Sequence, residues 1–234
     1  GGYITAKAKK LVGNSIYFDN YSVGATINSI LTATLAEGTT TIENANREPH
    51  VVDVANFLNM MGADIKGAGT NAIRIRGVKE LSGGRSYSIC PDMIEAGTLM
   101  IAATATKGTV TLHNVMPEHM DALSMKLTEM GVTVEAMDDY ITVKANVKRV
   151  KNTNIKTMPY PGFPTDLHPQ FATLLSVADG ESKITEGVFP TRFQYVEQLQ
   201  KLGANIQLSG ESAIIKGVPK LIGAPVLPTD LRAA

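Results

Sequence analysis

The chain has 234 residues, of which 44% are hydrophobic, enough for one or two packed domains. Its 22 basic and 22 acidic side chains cancel, so nothing global favours a nucleic-acid or membrane partner. Cys90 is the only cysteine, which excludes an intrachain disulfide and suits a reducing cytoplasm. No apolar run approaches the ~18 residues of a membrane span, and no signal peptide is recognisable.

In chain order, residues 1–18 read as the tail of a repeat. Tyr3-Ile4-Thr5-Ala6-Lys7 matches Tyr140-Ile141-Thr142-Val143-Lys144 and is expected to form a strand. Full repeats are expected over 19–86, 87–155 and 156–222, with a fourth beginning near 224. With no methionine at the start and a stop inside an expected helix, the chain reads as a fragment of a longer protein.

Two glycine series carry the repeat. Gly62, Gly131 and Gly203 each close a helix and open a strand; Gly38, Gly108 and Gly180 each cap another helix, where a left-handed backbone favours glycine. Both series step by roughly 70 residues, longer than solenoid repeats, so each repeat is a small α/β module. Within a module come a helix with a small-residue face (25–36, 96–105, 171–178), a short strand, an amphipathic helix and two closing strands. The amphipathic helices show in Val51, Val54, Leu58 and Met61, in Met120, Leu123, Leu127 and Met130, and in Val196, Leu199 and Leu202. Gly67-Ala68-Gly69-Thr70-Asn71-Ala72 lies between strand-like runs and reads as a hairpin turn, not a dinucleotide loop.

The first helix of each module starts at a polar group: Ser22-Val23-Gly24, Asp92 with Glu95, and Phe163-Pro164-Thr165-Asp166. By position alone Ser22 and Asp166 are helix N-caps. A helix mouth also presents free N–H groups and the positive end of a dipole, which suit a phosphate. Glu48, beside Pro49 at a helix start, complements the dipole; Val188-Phe189 reads as a packed turn. Cys90, in Ser88-Ile89-Cys90-Pro91, reads as a small buried hydrophobe at a strand end. The four histidines have no metal-ligand spacing, and no metal or cofactor is expected.

The repeats, together with Ser22-Val23-Gly24-Ala25-Thr26, Ala36-Glu37-Gly38-Thr39-Thr40, Arg47-Glu48-Pro49-His50-Val51-Val52-Asp53, Phe163-Pro164-Thr165-Asp166 and Thr229-Asp230-Leu231-Arg232, resemble the UDP-N-acetylglucosamine enolpyruvyl transferases, the 1-carboxyvinyltransferases of bacterial cell-wall synthesis. The resemblance covers essentially the whole chain. It implies inside-out α/β barrel-like domains of βαβαββ units, with sheets outward and helices within. Residues 1–86 would be the later part of one domain and 87–234 most of a second, its last unit incomplete. It also implies transfer of an enolpyruvyl group from phosphoenolpyruvate to the 3-hydroxyl of UDP-N-acetylglucosamine.

The same resemblance distributes roles. Asp166 would touch the sugar 3-hydroxyl and act as general base, and Asp230 would stabilise the charged carbon. Arg232 would grip phosphate, and Ser22, Val23 and Gly24 the nucleotide diphosphate. Asn20 and Tyr21 would lie on the nucleotide side, Glu48 near the cleft, Val188 and Phe189 against the UDP-sugar, and Arg192 near the second substrate. His50 stands where the family often has an acid and takes no role. The family's reactive cysteine belongs to a lid upstream of residue 1. On this reading the chain alone is inactive, and its exposed faces could drive self-association. The alternatives are the sister 3-phosphoshikimate 1-carboxyvinyltransferase, whose serine and arginine phosphate motifs are not found here, and a non-catalytic binding protein on the same repeat. The neutral charge gives no support to the RNA cyclases of this architecture.

Overall fold

The computed structural model describes residues 3–227. The chain divides into two compact units, residues 1–90 and 91–234, each with its own apolar core. The division falls a few residues beyond the 86/87 boundary expected from the repeat.

The first unit runs β1 (Ser15–Tyr17), α1 (Val23–Ala33), β2 (Thr39–Glu43), α2 (Pro49–Met60), β3 (Asp64–Lys66) and β4 (Ala72–Arg76). Its four strands form one sheet in the order β1-β2-β4-β3, with β1 parallel to β2 and the other pairs antiparallel. Alternate residues of β4 face the core: Ile73 and Ile75 are buried while their neighbours are exposed. Ile30 of α1 and Val51, Ala55 and Leu58 of α2 complete that core. The turn at 67–71 joins β3 to β4 as a hairpin, with Gly67 and Gly69 at positive φ.

The second unit holds two repeats. One runs α3 (Met93–Ala105), β5 (Thr109–His113), α4 (Asp121–Glu129), β6 (Thr133–Ala136) and β7 (Tyr140–Lys144). The other runs β8 (Ile155–Lys156), α5 (His168–Leu175), β9 (Glu181–Thr185), α6 (Tyr195–Lys201), β10 (Asn205–Ser209) and β11 (Ser212–Lys216). Their sheets have the orders β5-β7-β6 and β8-β9-β11-β10. The first and last repeats thus show the full βαβαββ pattern, whereas the middle sheet has three strands among the described residues.

Helices α3 and α5 lie at the centre of this unit. Met93, Ala96, Met100 and Ile101 of α3 and Phe171, Ala172, Leu174 and Leu175 of α5 are buried, while one face of the sheets meets water. A helix apolar around most of its girth belongs inside a core, which accounts for sheets outside and helices within. Leu123, Leu127 and Met130 anchor α4 as their spacing predicts.

Three local expectations differ from the structure. Residues 3–7 form no strand, and Tyr3 and Ile4 are fully exposed: a strand needs a partner for its N–H and C=O groups, and none among the described residues pairs with them. Cys90 sits in an irregular segment and is half-buried, not a buried strand end; its N–H donates to Asp53 Oδ1 at 3.2 Å. Gly38 and Gly180 take positive φ but lie beyond the helix ends, whose C-caps are Thr34 and Ser176, so they do not cap their helices as expected; in the middle repeat Lys107 takes the positive φ in place of Gly108. Helix α3 runs on to Ala105, so its left-handed exit falls one residue earlier, on a side chain that pays about 1 kcal/mol for it.

Candidate active site

In the first unit Ser22, in extended conformation, is the N-cap of α1, its Oγ accepting from the Ala25 N–H at 3.2 Å. The Ser22 carbonyl accepts from Thr26 Oγ1 at 2.7 Å, and Thr26 Oγ1 accepts from the Asn46 N–H at 3.0 Å. Asn46 Oδ1 then accepts from the Glu48 N–H at 2.8 Å. This chain through Thr26 and Asn46, both buried, ties the mouth of α1 to the mouth of α2, where Glu48 precedes Pro49. Asn20, Tyr21 and Gly24 are exposed, and Val23 is half-buried against the core. A Cβ added at Gly24 would meet nothing within 4 Å, so the backbone there faces open space. The serine-cap reading is realised, and it satisfies one donor of a helix mouth that presents several. An open groove of about 310 Å³ lies along α1, lined by Ile16, Ala25, Thr32 and Ala36 among others; Asn20, Tyr21, Ser22, Val23, Gly24 and Glu48 do not line it.

In the second unit Asp166 sits in a 3-10 turn, Thr165–Leu167, that leads into α5. The turn begins after an extended Pro164, and Leu167 anchors it in the core with 0% exposure. Gly97 of α3 lets it come close: a Cβ there would stand 2.6 Å from Leu167 Cδ1. Asp166 is not a helix cap, because the cap positions are Pro164 and Leu167 and neither makes a side-chain cap bond. Its Oδ1 instead accepts from Arg192 Nη1 at 2.7 Å, and its side chain stays 53% exposed against 9% for the arginine. Arg192 Nη1 also donates to Thr165 Oγ1 at 2.9 Å, and its guanidinium lies 4.2 Å from the centre of the Phe189 ring. Phe189 is exposed rather than packed, so the simple packed-turn reading fails for it; Val188 is half-buried. The structure therefore brings Asp166, Arg192, Phe189 and Val188 together. Asp230 and Arg232 lie outside the described residues.

Beneath this cluster is a residue the sequence reading passed over. Glu186, directly after β9, has 0% exposure. Its Oε1 accepts from Thr157 Oγ1 at 2.6 Å and from the Val188 and Phe189 N–H groups, both at 2.9 Å. Its Oε2 accepts from Thr165 Oγ1 at 2.9 Å and meets His168 Nδ1 at 3.0 Å. Burial alone would raise the carboxyl's pKa, but the bonds from His168, Thr157, Phe189 and Val188 outweigh it and bring it down to about 2. An ionised Glu186 only accepts, so the His168 Nδ1 carries the proton. On the far side of that ring the Tyr195 hydroxyl is 2.6 Å from Nε2, and burial, with the Glu186 charge, pushes the tyrosine pKa up, keeping it a phenol that donates. Tyr195, His168 and Glu186 thus form one buried relay.

A sequence profile described as EPSP synthase (3-phosphoshikimate 1-carboxyvinyltransferase) matches residues 2–234. The chain belongs to this EPSP synthase family. Among similar family members, a UDP-N-acetylglucosamine 1-carboxyvinyltransferase of Clostridium botulinum is 57% identical over 232 residues, 99% of this chain and 55% of the relative. One from Carboxydothermus hydrogenoformans is 52% identical over 233 residues, 100% of this chain and 55% of the relative. The crystal structure of the enolpyruvyl transferase NikO from Streptomyces tendae superposes with a TM-score of 0.83 at 25% identity, over 98% of this chain and 59% of that one. EPSP synthase from Acinetobacter baumannii shares the fold, with a TM-score of 0.67 at 21% identity over 91% of this chain and 50% of its own. The chain spans about half the length of the curated relatives it matches. Among the described residues no helix is long and apolar enough to cross a membrane.

Proposed function

We propose that this chain is part of a cytoplasmic enzyme that moves the enolpyruvyl group of phosphoenolpyruvate onto the 3-hydroxyl of UDP-N-acetylglucosamine and releases phosphate, the first committed step of peptidoglycan synthesis. The observation that carries the reading is Asp166: a half-exposed carboxylate at a helix mouth, held by Arg192 and not used as a cap. In the reaction the sugar hydroxyl oxygen bonds to C2 of phosphoenolpyruvate while its proton passes to a base and C3 gains a proton. The C2–O bond to phosphate then breaks, phosphate leaves, and C3 gives its proton back. Asp166 is the base for the hydroxyl. Arg192, with a planar fork of donors, is suited to an anionic second substrate. Ser22, Val23 and Gly24 are at a helix mouth suited to the diphosphate, with Asn20 and Tyr21 on the nucleotide side and Glu48 at the mouth of α2 that Thr26 and Asn46 tie to it. The resemblance adds Asp230 at the charged carbon, Arg232 on phosphate and Val188 with Phe189 on the sugar.

Identity of 57% with the UDP-N-acetylglucosamine enzyme, against 21% with EPSP synthase of A. baumannii, favours the nucleotide sugar over shikimate 3-phosphate as acceptor. The test is phosphate release by the gene product that contains this chain. Asp166→Asn is expected to lower turnover by ~10²–10⁴-fold with the fold intact. Turnover near that of the parent rejects the role, and release with shikimate 3-phosphate but not the nucleotide sugar rejects the substrate.

A further inference from the structure

Glu186 stands at a corner that all three repeats share. The residue after the short strand between the two helices of each repeat (β2, β5 and β9) is Asn44 in the first repeat, Asn114 in the second and Glu186 in the third, aligned by the registers Glu43↔Ala72, His113↔Tyr140 and Thr185↔Ser212. Asn44 and Asn114 both turn the corner in the left-handed region, at φ 56. The fold of the repeat therefore does not call for a buried acid here. A fully buried carboxylate is a poor route to stability, since its desolvation cost is repaid only by complete pairing. Its five donors come from three stretches of chain: Thr157 past β8, Thr165 and His168 at the entry to α5, and the amides of Val188 and Phe189.

What those donors have in common is the cluster above them. Thr165 precedes Asp166 and its hydroxyl is shared, donating to Glu186 and accepting from Arg192. Phe189 carries the ring under the guanidinium. We propose that Glu186 is a positioning residue: through the Thr165 hydroxyl and the 188–189 amides it holds Asp166, Arg192 and the Phe189 ring in one arrangement, and His168 and Tyr195 lock the Glu186 carboxylate from behind. This rests on Asp166 being the base. Thr165 is the joint of the device, because its one oxygen couples the buried acid to the exposed pair.

The test compares four variants of the gene product that contains this chain, with kcat and both KM values read separately. Thr165→Val, which keeps the shape but removes the hydroxyl, and Glu186→Gln are expected to lower kcat by ~10–100-fold, the scale of a misplacement near 1 Å, with each KM within about threefold. Thr165→Ser, which keeps the hydroxyl, is expected to restore kcat to within about threefold of the parent. A purely structural Glu186 would lower the melting temperature and leave kcat alone. Thr165→Val with parental kcat, while Asp166→Asn is slow, overturns the positioning role and leaves the base standing. Parental kcat in Asp166→Asn removes the base, and the positioning role falls with it.

Discussion

Asp92 and Asp166 each stand at the mouth of a central helix in successive repeats of the second unit, Asp92 at the N-cap and Asp166 within the 3-10 turn that follows the Pro164 cap. Asp92 folds back on its own helix, accepting from the Ile94 N–H at 2.8 Å and the Glu95 N–H at 3.4 Å. Asp166 makes no such cap and pairs with Arg192. The contrast separates two uses of one residue type. A carboxylate bonded to first-turn amides is committed to its helix. One held from the side by an arginine, at the edge of solvent, leaves its helix uncapped and meets the demand the proposed reaction makes of its base. The preceding residues decide which occurs: Asp92 is the N-cap of α3, whereas Pro164 starts a 3-10 turn that carries Asp166 past the cap position.

The comparison can be broken most sharply at Asp166, where the ~10²–10⁴-fold loss of turnover in Asp166→Asn comes with a change in unfolding free energy below ~1 kcal/mol. Chemical denaturation beside the kinetic assay checks both. Next is the support of the turn. Leu167→Ala removes a fully buried side chain and is expected to cost ~2–5 kcal/mol in urea unfolding.

The charge beneath gives a pH signature. The Glu186 carboxyl is depressed from an ordinary 4.5 to about 2, so its contribution is complete above pH 4.5 and is lost as pH falls towards 2. Across that window the parent is expected to lose up to roughly 3 kcal/mol more unfolding free energy than Glu186→Gln. A parent curve parallel to the variant's would show that the carboxylate is not held as described. The smallest effect is at Asp92: Asp92→Ala forfeits a true cap and is expected to cost ~0.5–2 kcal/mol, read from the same urea curves. If Asp92→Ala costs no stability while Asp166→Asn costs 2 kcal/mol or more, the two acids have been assigned the wrong way round.

Much of this architecture was legible before any coordinates. The glycines near positions 62, 131 and 203 end helices because a side chain is disfavoured at positive φ, a rule that acts within a few residues. Leu123 and Leu127 face the core because helical spacing puts them on one side. Asp166 was legible as the bearer of a helix mouth, though its local reading as a cap was not realised. Glu186 was not legible: in Thr185-Glu186-Gly187 it has the look of a surface turn, and its side-chain partners stand 18, 21 and 29 positions away. One signal was available, the acid in the third repeat where the first two have asparagine.

The sequence by itself determined the period of the modules, the order of helices and strands within each, and the family to which the chain belongs, because each depends on short-range spacing or direct similarity. Only the tertiary structure decided which acid caps a helix, which is held by Arg192, and that a carboxylate is buried under both Thr165 and the 188–189 loop. Those outcomes depend on donors from distant stretches converging on one oxygen pair, and convergence of that kind exists only once the helices have packed.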